Sequence, residues 1–124
     1  NRTLKRTKEL QKKFGGRIAQ ASKLTPKDID VVINATPVGM FPHIKSSPVP
    51  EALLGRHQTG FDLVYNPFRT ELQRRAAARG AKVISGINMF TAQGVRQVEL
   101  STGRKIISGK LIVRLNKQIL KTMS

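Results

Sequence analysis

A few side chains in this 124-residue chain are spaced for chemistry. Arg2 and Arg6 lie four residues apart. Thr36-Pro37 follows an apolar run, Tyr65 is the single tyrosine, and Met89 and Gln93 are one helical turn apart. A guanidinium pairs bidentately with a phosphate and lies flat on an aromatic ring. A phenol donates to a carboxylate. Residues at i and i+4 share a helix face. Plainer readings also stand: a basic surface helix, an ordinary strand exit, a half-buried tyrosine, a core methionine. There is no Cys, and His43 and His57 have no ligand-spaced partner, so no metal site is expected. Asp30 and Asp62 sit on or beside apolar runs and are not convincing acids or bases. No residue is assigned a catalytic role.

The elements that must position these groups can be read from pattern. Asp30-Val31-Val32-Ile33-Asn34-Ala35 reads as a strand buried on both faces, as in a parallel sheet. Its exit, Thr36-Pro37-Val38-Gly39-Met40, lies at the carboxyl end, where open α/β sheets bind ligands. Proline pushes Thr36 to extended geometry, and Gly39 permits a turn. Residues 4–14 predict a helix stopped by Gly15-Gly16, and Arg17–Gln20 a short strand. Thr25-Pro26-Lys27-Asp28 starts a brief turn. Residues 37–49 form a loop, and residues 50–54 one helical turn ended by Gly55. Residues 60–65 form a strand ended by Asn66-Pro67. Thr70–Arg79 is a helix with Gly80 after it. Residues 81–84 make a strand. Asn88 caps a helix over 89–102, and residues 110–123 form a last, amphipathic helix. Its apolar face carries Leu111, Leu115 and Ile119; its basic face carries Arg114, Lys117 and Lys121. Alternating strands and helices give an α/β class with a parallel sheet.

Hydrophobic residues make up 39% of the chain, enough for one domain with a core, which excludes global disorder. The formal charge of +16 favours anionic partners, or a solvated basic face, or a piece whose acids lie elsewhere in a larger molecule. The basic residues are dispersed and only 5% of residues are aromatic, which disfavours a nucleic-acid partner. No apolar run reaches membrane-span length and none reads as a signal peptide. A soluble, cytoplasmic protein is the expectation.

Together the motifs resemble the carboxyl-terminal, NADP-binding part of shikimate dehydrogenase. Asn1-Arg2-Thr3 is similar to the family's signature at the end of the second Rossmann strand. Val32–Met40 is similar to its strand and loop beside the cofactor. Asp62-Leu63-Val64-Tyr65-Asn66-Pro67, with Thr70 and Leu72, is similar to the segment under the active site. Gly86, Met89 and Gln93 match its Gly-x-x-Met-x-x-x-Gln element. The four occur in family order across most of residues 1–103.

The resemblance implies an incomplete Rossmann-like parallel sheet with flanking helices over residues 1–105, then a basic amphipathic helix over 106–124. It implies that Asn1, Arg2, Thr3 and Arg6 (with Lys5 as a substitute) hold the 2′-phosphate of NADP. Ala35, Thr36, Pro37, Gly86 and Met89 line the nicotinamide side. Tyr65 and Gln93 contact shikimate or 3-dehydroshikimate. The implied activity is NADPH-dependent reduction of 3-dehydroshikimate in the shikimate pathway. One departure is Gly86-Ile87-Asn88-Met89, where the family commonly has Gly-Leu-Gly-Met; a side chain then stands near the nicotinamide site.

The family's Gly-rich pyrophosphate loop precedes the Asn-Arg-Thr signature, and the Lys and Asp that handle the proton come from an upstream catalytic domain. Neither matches anything here, so a fragment inactive by itself is expected, with that domain as its missing partner. In the order 3-2-1-4-5-6, Arg17–Gln20 and Val31–Ala35 would be strands 3 and 4, about 14 Å apart across two empty positions. Buried backbone does not stay unpaired. The fragment is expected to rearrange, to pack residues 1–29 loosely, or to self-associate through its open edge. The alternatives are a quinate/shikimate dehydrogenase using NAD, or a non-enzymatic module binding anions or nucleic acid.

Overall fold

The structure, a computed structural model, describes residues 3–106 and 109–123. Among these residues, three short parallel strands form one sheet in the order β1-β2-β3: β1 Val31–Asn34, β2 Thr59–Asp62 and β3 Lys82–Ile84. Val31 pairs with Thr59 and Asn34 with Asp62, and Thr59 pairs with Lys82. Among the described residues, four α-helices accompany the sheet: α1 Leu4–Phe14, α2 Glu71–Ala78, α3 Gly86–Thr102 and α4 Gly109–Met123.

The core lies where α2 covers one face of the sheet. Val32, Leu54, Leu72, Ala76 and Ala81 form a buried cluster, with Ile29, Val49 and Val83 packed against it. Thr70 caps α2 by accepting from the Gln73 amide, and Glu71 in the first turn is held by Arg74 and Arg75. Both features suit the positive end of a helix. At the amino-terminal edge of the strands, buried Gln58 donates to the carbonyls of Pro26 and Leu53 and accepts from Gly55 N–H. That side chain ties the turn around Pro26 to the start of β2.

α3 turns Ile87, Thr91, Val95 and Glu99 inward at four-residue spacing. α4 packs on α3. Asn116 accepts from Thr91 Oγ1 and donates to Asn88 Oδ1, while buried Glu99 accepts from Ile106 N–H and Arg96. Leu111, Leu115 and Ile119 are half-buried, and Arg114, Lys117 and Lys121 are exposed.

Three expectations need correction. Arg17–Gln20 is not a strand, because no described strand lies beside it to complete a ladder. β1 is buried on one face only. Val32 and Asn34 are buried, but Val31 and Ile33 are more than half exposed, since α2 covers one side and β1 is an edge strand. Asn88 does not cap α3; the helix begins at Gly86 with Ser85 as its flanking residue. Residues 3–30 contribute no buried side chain, and α1 buries none of its eleven residues.

Candidate functional site

The carboxyl ends of β1 and β2 open onto a cleft of about 460 Å³. One wall is the exit of β1: Ala35, Thr36, Pro37, Met40 and Phe41. The other is the exit of β2: Leu63, Val64, Tyr65 and Asn66. No charged side chain lines it. Its walls are largely apolar, with the Thr36 hydroxyl, the Tyr65 phenol and the Asn66 amide as polar points. Such a lining suits an organic ligand oriented by a few hydrogen bonds. Cis peptide bonds at Phe41–Pro42 and Asn66–Pro67 lie one in each wall.

A buried polar cluster shapes both walls. Asn34 and Asp62, opposite each other at the last paired register position, are 1% and 0% exposed. Asn34 Nδ2 donates to Asp62 Oδ1 (2.9 Å) and to the Val38 carbonyl (2.9 Å). Asn34 Oδ1 accepts from Thr36 N–H (3.1 Å) and Thr36 Oγ1 (2.6 Å). Thr36 Oγ1 in turn accepts from Val38 N–H. Asp62 accepts from Val64 N–H at Oδ1 (3.0 Å) and from Thr70 Oγ1 at Oδ2 (2.6 Å). Both strand ends are thus organised around these two side chains. Gly39 turns the first wall back at φ +89, geometry open to glycine.

The start of α3 packs directly behind the second wall. A Cβ at Gly86 would lie 2.5 Å from the Leu63 carbonyl oxygen and 2.7 Å from that of Val64. Only glycine admits so close a helix–strand approach. One turn on, Phe90 stacks on Tyr65 with ring centroids 5.1 Å apart and planes at 28°. Tyr65 is 43% exposed, so one side of its ring meets Phe90 while the residue still borders the cleft.

The structure brings Ala35, Thr36, Pro37 and Tyr65 around one space and places Gly86 against its wall. Met89 is half-buried and Gln93 exposed on α3; neither borders the cleft. Thr3 and Arg6 are exposed on or beside α1, where Arg6 lines a separate shallow hollow with Glu9, Leu10, Lys13 and Phe14. Asn1 and Arg2 lie outside the described residues. Sequence reasoning placed Asn34, Asp62 and Thr70 only within family motifs and missed their mutual hydrogen bonding; it missed Phe90 altogether. The available signal was a polar residue closing each apolar strand; their pairing depends on register. Among the described residues, no cluster of three His, Cys, Asp or Glu could hold a metal, and no helix is long and apolar enough to cross a membrane.

No family model matches the chain. Among curated proteins, the shikimate dehydrogenase (NADP(+)) of Shouchella clausii is 36% identical over 110 residues, which covers 85% of this chain and 40% of that protein. Among solved structures, shikimate 5-dehydrogenase from Thermus thermophilus, in complex with NADP(H) and shikimate, superposes with a TM-score of 0.82. Its identity is 31%, over 95% of this chain and 44% of that one. Quinate dehydrogenase from Corynebacterium glutamicum, in complex with NAD, gives a TM-score of 0.67 and 29% identity over 83% of this chain and 36% of that one. The chain thus spans less than half the length of each of these proteins.

Proposed function

We propose that this chain is the part of a shikimate dehydrogenase that binds NADP and forms one side of the substrate site, a reading supported by its 36% identity to one such enzyme and its superposition on another. The observation that carries this reading is the uncharged cleft at the carboxyl rim of a parallel sheet, with Thr36-Pro37 on one wall and Tyr65 on the other. It fits the cofactor's less charged end: Ala35, Thr36 and Pro37 are exposed and carry one hydroxyl, and Gly86 keeps side-chain bulk away from the second wall. In this reading Ala35, Thr36, Pro37, Gly86 and Met89 hold the nicotinamide–ribose side. Asn1, Arg2, Thr3 and Arg6 take the 2′-phosphate. Tyr65 donates to the carboxylate of shikimate or 3-dehydroshikimate, and Gln93 reaches a hydroxyl.

When bound, NADPH supplies the hydride equivalent for reducing the ketone of 3-dehydroshikimate. The described cleft lining contains no Lys, His or carboxylate, so this chain's part is to orient the ligands. A catalytic domain carrying the Lys and Asp is the proposed partner, and the chain by itself binds without turnover. The free edge of β1 is proposed as a pairing surface. The proposed division is a cofactor-binding unit over residues 1–105 and an appended segment over 106–124 that carries α4; a cytoplasmic location is in keeping with the biosynthetic role.

Titration with NADPH and NADH, followed by the emission of the reduced nicotinamide, tests the reading. Saturable NADPH binding is expected, weaker for NADH by about tenfold or more, the size of one charge-assisted hydrogen bond. The quinate dehydrogenase resemblance makes equal affinity the outcome that favours an NAD enzyme. No saturable binding of either nucleotide, with tight duplex DNA binding that weakens steeply with salt, overturns the proposal.

A further inference from the structure

Asn34 and Asp62 occupy core positions where hydrocarbon would pack at least as well. Burying a carboxylate is costly, and replacing buried polar pairs with apolar ones is often neutral or stabilising. No cation is within ion-pair reach of Asp62 among the described residues. The nearby carboxylate on α2, Glu71, is by contrast held by Arg74 and Arg75. What the pair does that hydrocarbon cannot is fix backbone. Asn34 binds the amide of residue 36 and the carbonyl of residue 38; Asp62 binds the amide of residue 64, next to Tyr65. The 2.9 Å bond between them joins the two walls.

We propose that Asn34 and Asp62 are positioning residues that act as one unit, holding the two cleft walls at a fixed spacing so that Thr36 and Tyr65 address the same ligand. This rests on the cleft being the ligand site. Removal of the donor between the walls tests it. In Asn34→Asp a carboxylate oxygen replaces the amide and faces Asp62 and the Val38 carbonyl. Two carboxylates at this distance share one proton. The walls should then close at pH 5, with the proton in place, and splay at pH 8.

Tyr65 reports the change without a label, because the chain has one Tyr and no Trp. The expected result is a pH titration of Tyr65 emission in Asn34→Asp that the parent lacks. At pH 8 NADPH affinity should fall at least fivefold, with near-parental affinity at pH 5. The double variant Asn34→Asp/Asp62→Asn puts a donor back between the strands and should remove most of the titration. An Asn34→Asp chain that is unfolded at pH 8 should fold at pH 5. Emission that does not titrate, a double variant that rescues nothing, or a chain unfolded at both pH values overturns the proposal. The emission needs no ligand, so a parent that fails to bind NADPH would sink the functional reading while leaving the positioning claim to its own result.

Discussion

Adding one methyl group at Gly86 tests whether the start of α3 is seated on the strand exit as tightly as the geometry requires. The new carbon would lie 2.5 Å from Leu63 O, 2.7 Å from Leu63 C and 2.7 Å from Val64 O. Reaching van der Waals separation requires a retreat of about 1 Å. All three obstacles are backbone atoms, so no rotamer change relieves them. Overpacking costs about 1–3 kcal/mol, and a backbone clash belongs at the upper end. Replacing glycine in a helix returns roughly 0.5–1 kcal/mol, leaving a net loss of about 2 kcal/mol. For a chain of this size that is a fall in melting temperature of about 8 °C.

Gly94→Ala is the matched control. It lies on the same helix with nothing within 4 Å of its added carbon. It should gain about 0.5–1 kcal/mol and melt about 2–4 °C higher. Thermal melts by circular dichroism, with Tyr65 emission recorded in parallel, separate the two. Gly86→Ala should also change Tyr65 emission, because Leu63 and Val64 lead into that residue; Gly94→Ala should not. A Gly86→Ala chain that melts at or above the parent with unchanged emission refutes the reasoning.

Thr70→Ala should destabilise by about 2–3 kcal/mol in urea unfolding. It removes the α2 cap and leaves Asp62 Oδ2 without its donor, whereas Thr70→Ser should stay within about 1 kcal/mol of the parent. Phe90→Ala should cost about 1 kcal/mol and lower the anisotropy of Tyr65 emission, since a stacked aromatic pair is worth about 0.5–1.5 kcal/mol. The Thr25 amide and, less strongly, its hydroxyl hold the Asp28 carboxyl below its ordinary value of 3.8. A depressed carboxylate stabilises fully above its unfolded pKa and loses that contribution as pH falls through the folded one. The Thr25 amide resonance should therefore move only below about pH 4, and Asp28→Asn should abolish that movement.

Much of the strand-and-helix order could be read from local signals. The apolar run at Val31–Ile33 and the helix stopped by Gly80 each depend on neighbours in sequence, and both formed. What could not be read depends on neighbours in space. Val31 and Ile33 have the residue types of a two-sided core strand, yet they are exposed because α2 covers only the other face. Arg17–Gln20 has strand composition and no ladder partner. Asn34 and Asp62 are 28 residues apart, and only parallel register makes them one hydrogen-bonded pair. The Ser85-Gly86 break was visible, but a glycine signals a need for space without saying which backbone fills it. The expected ligand residues divide the same way: Thr36 and Tyr65, at the ends of paired strands, meet at one cleft, while Arg6, on a helix with no buried residue, lies in a separate hollow.

The absence of any buried side chain in α1 has a consequence for how the molecule opens. The free energy of opening a segment comes from the contacts it must break. α1 has its own backbone ladder and little else, and an isolated eleven-residue helix is marginal in water. Its amides should exchange with deuterium at close to the rate of an open peptide. β2 has a strand on each side and α2 across one face, so its amides should exchange only when the whole sheet comes apart. Substitutions along α1 would then leave the cooperative melt of the sheet in place, and the amino-terminal segment would behave as a unit with its own folding equilibrium.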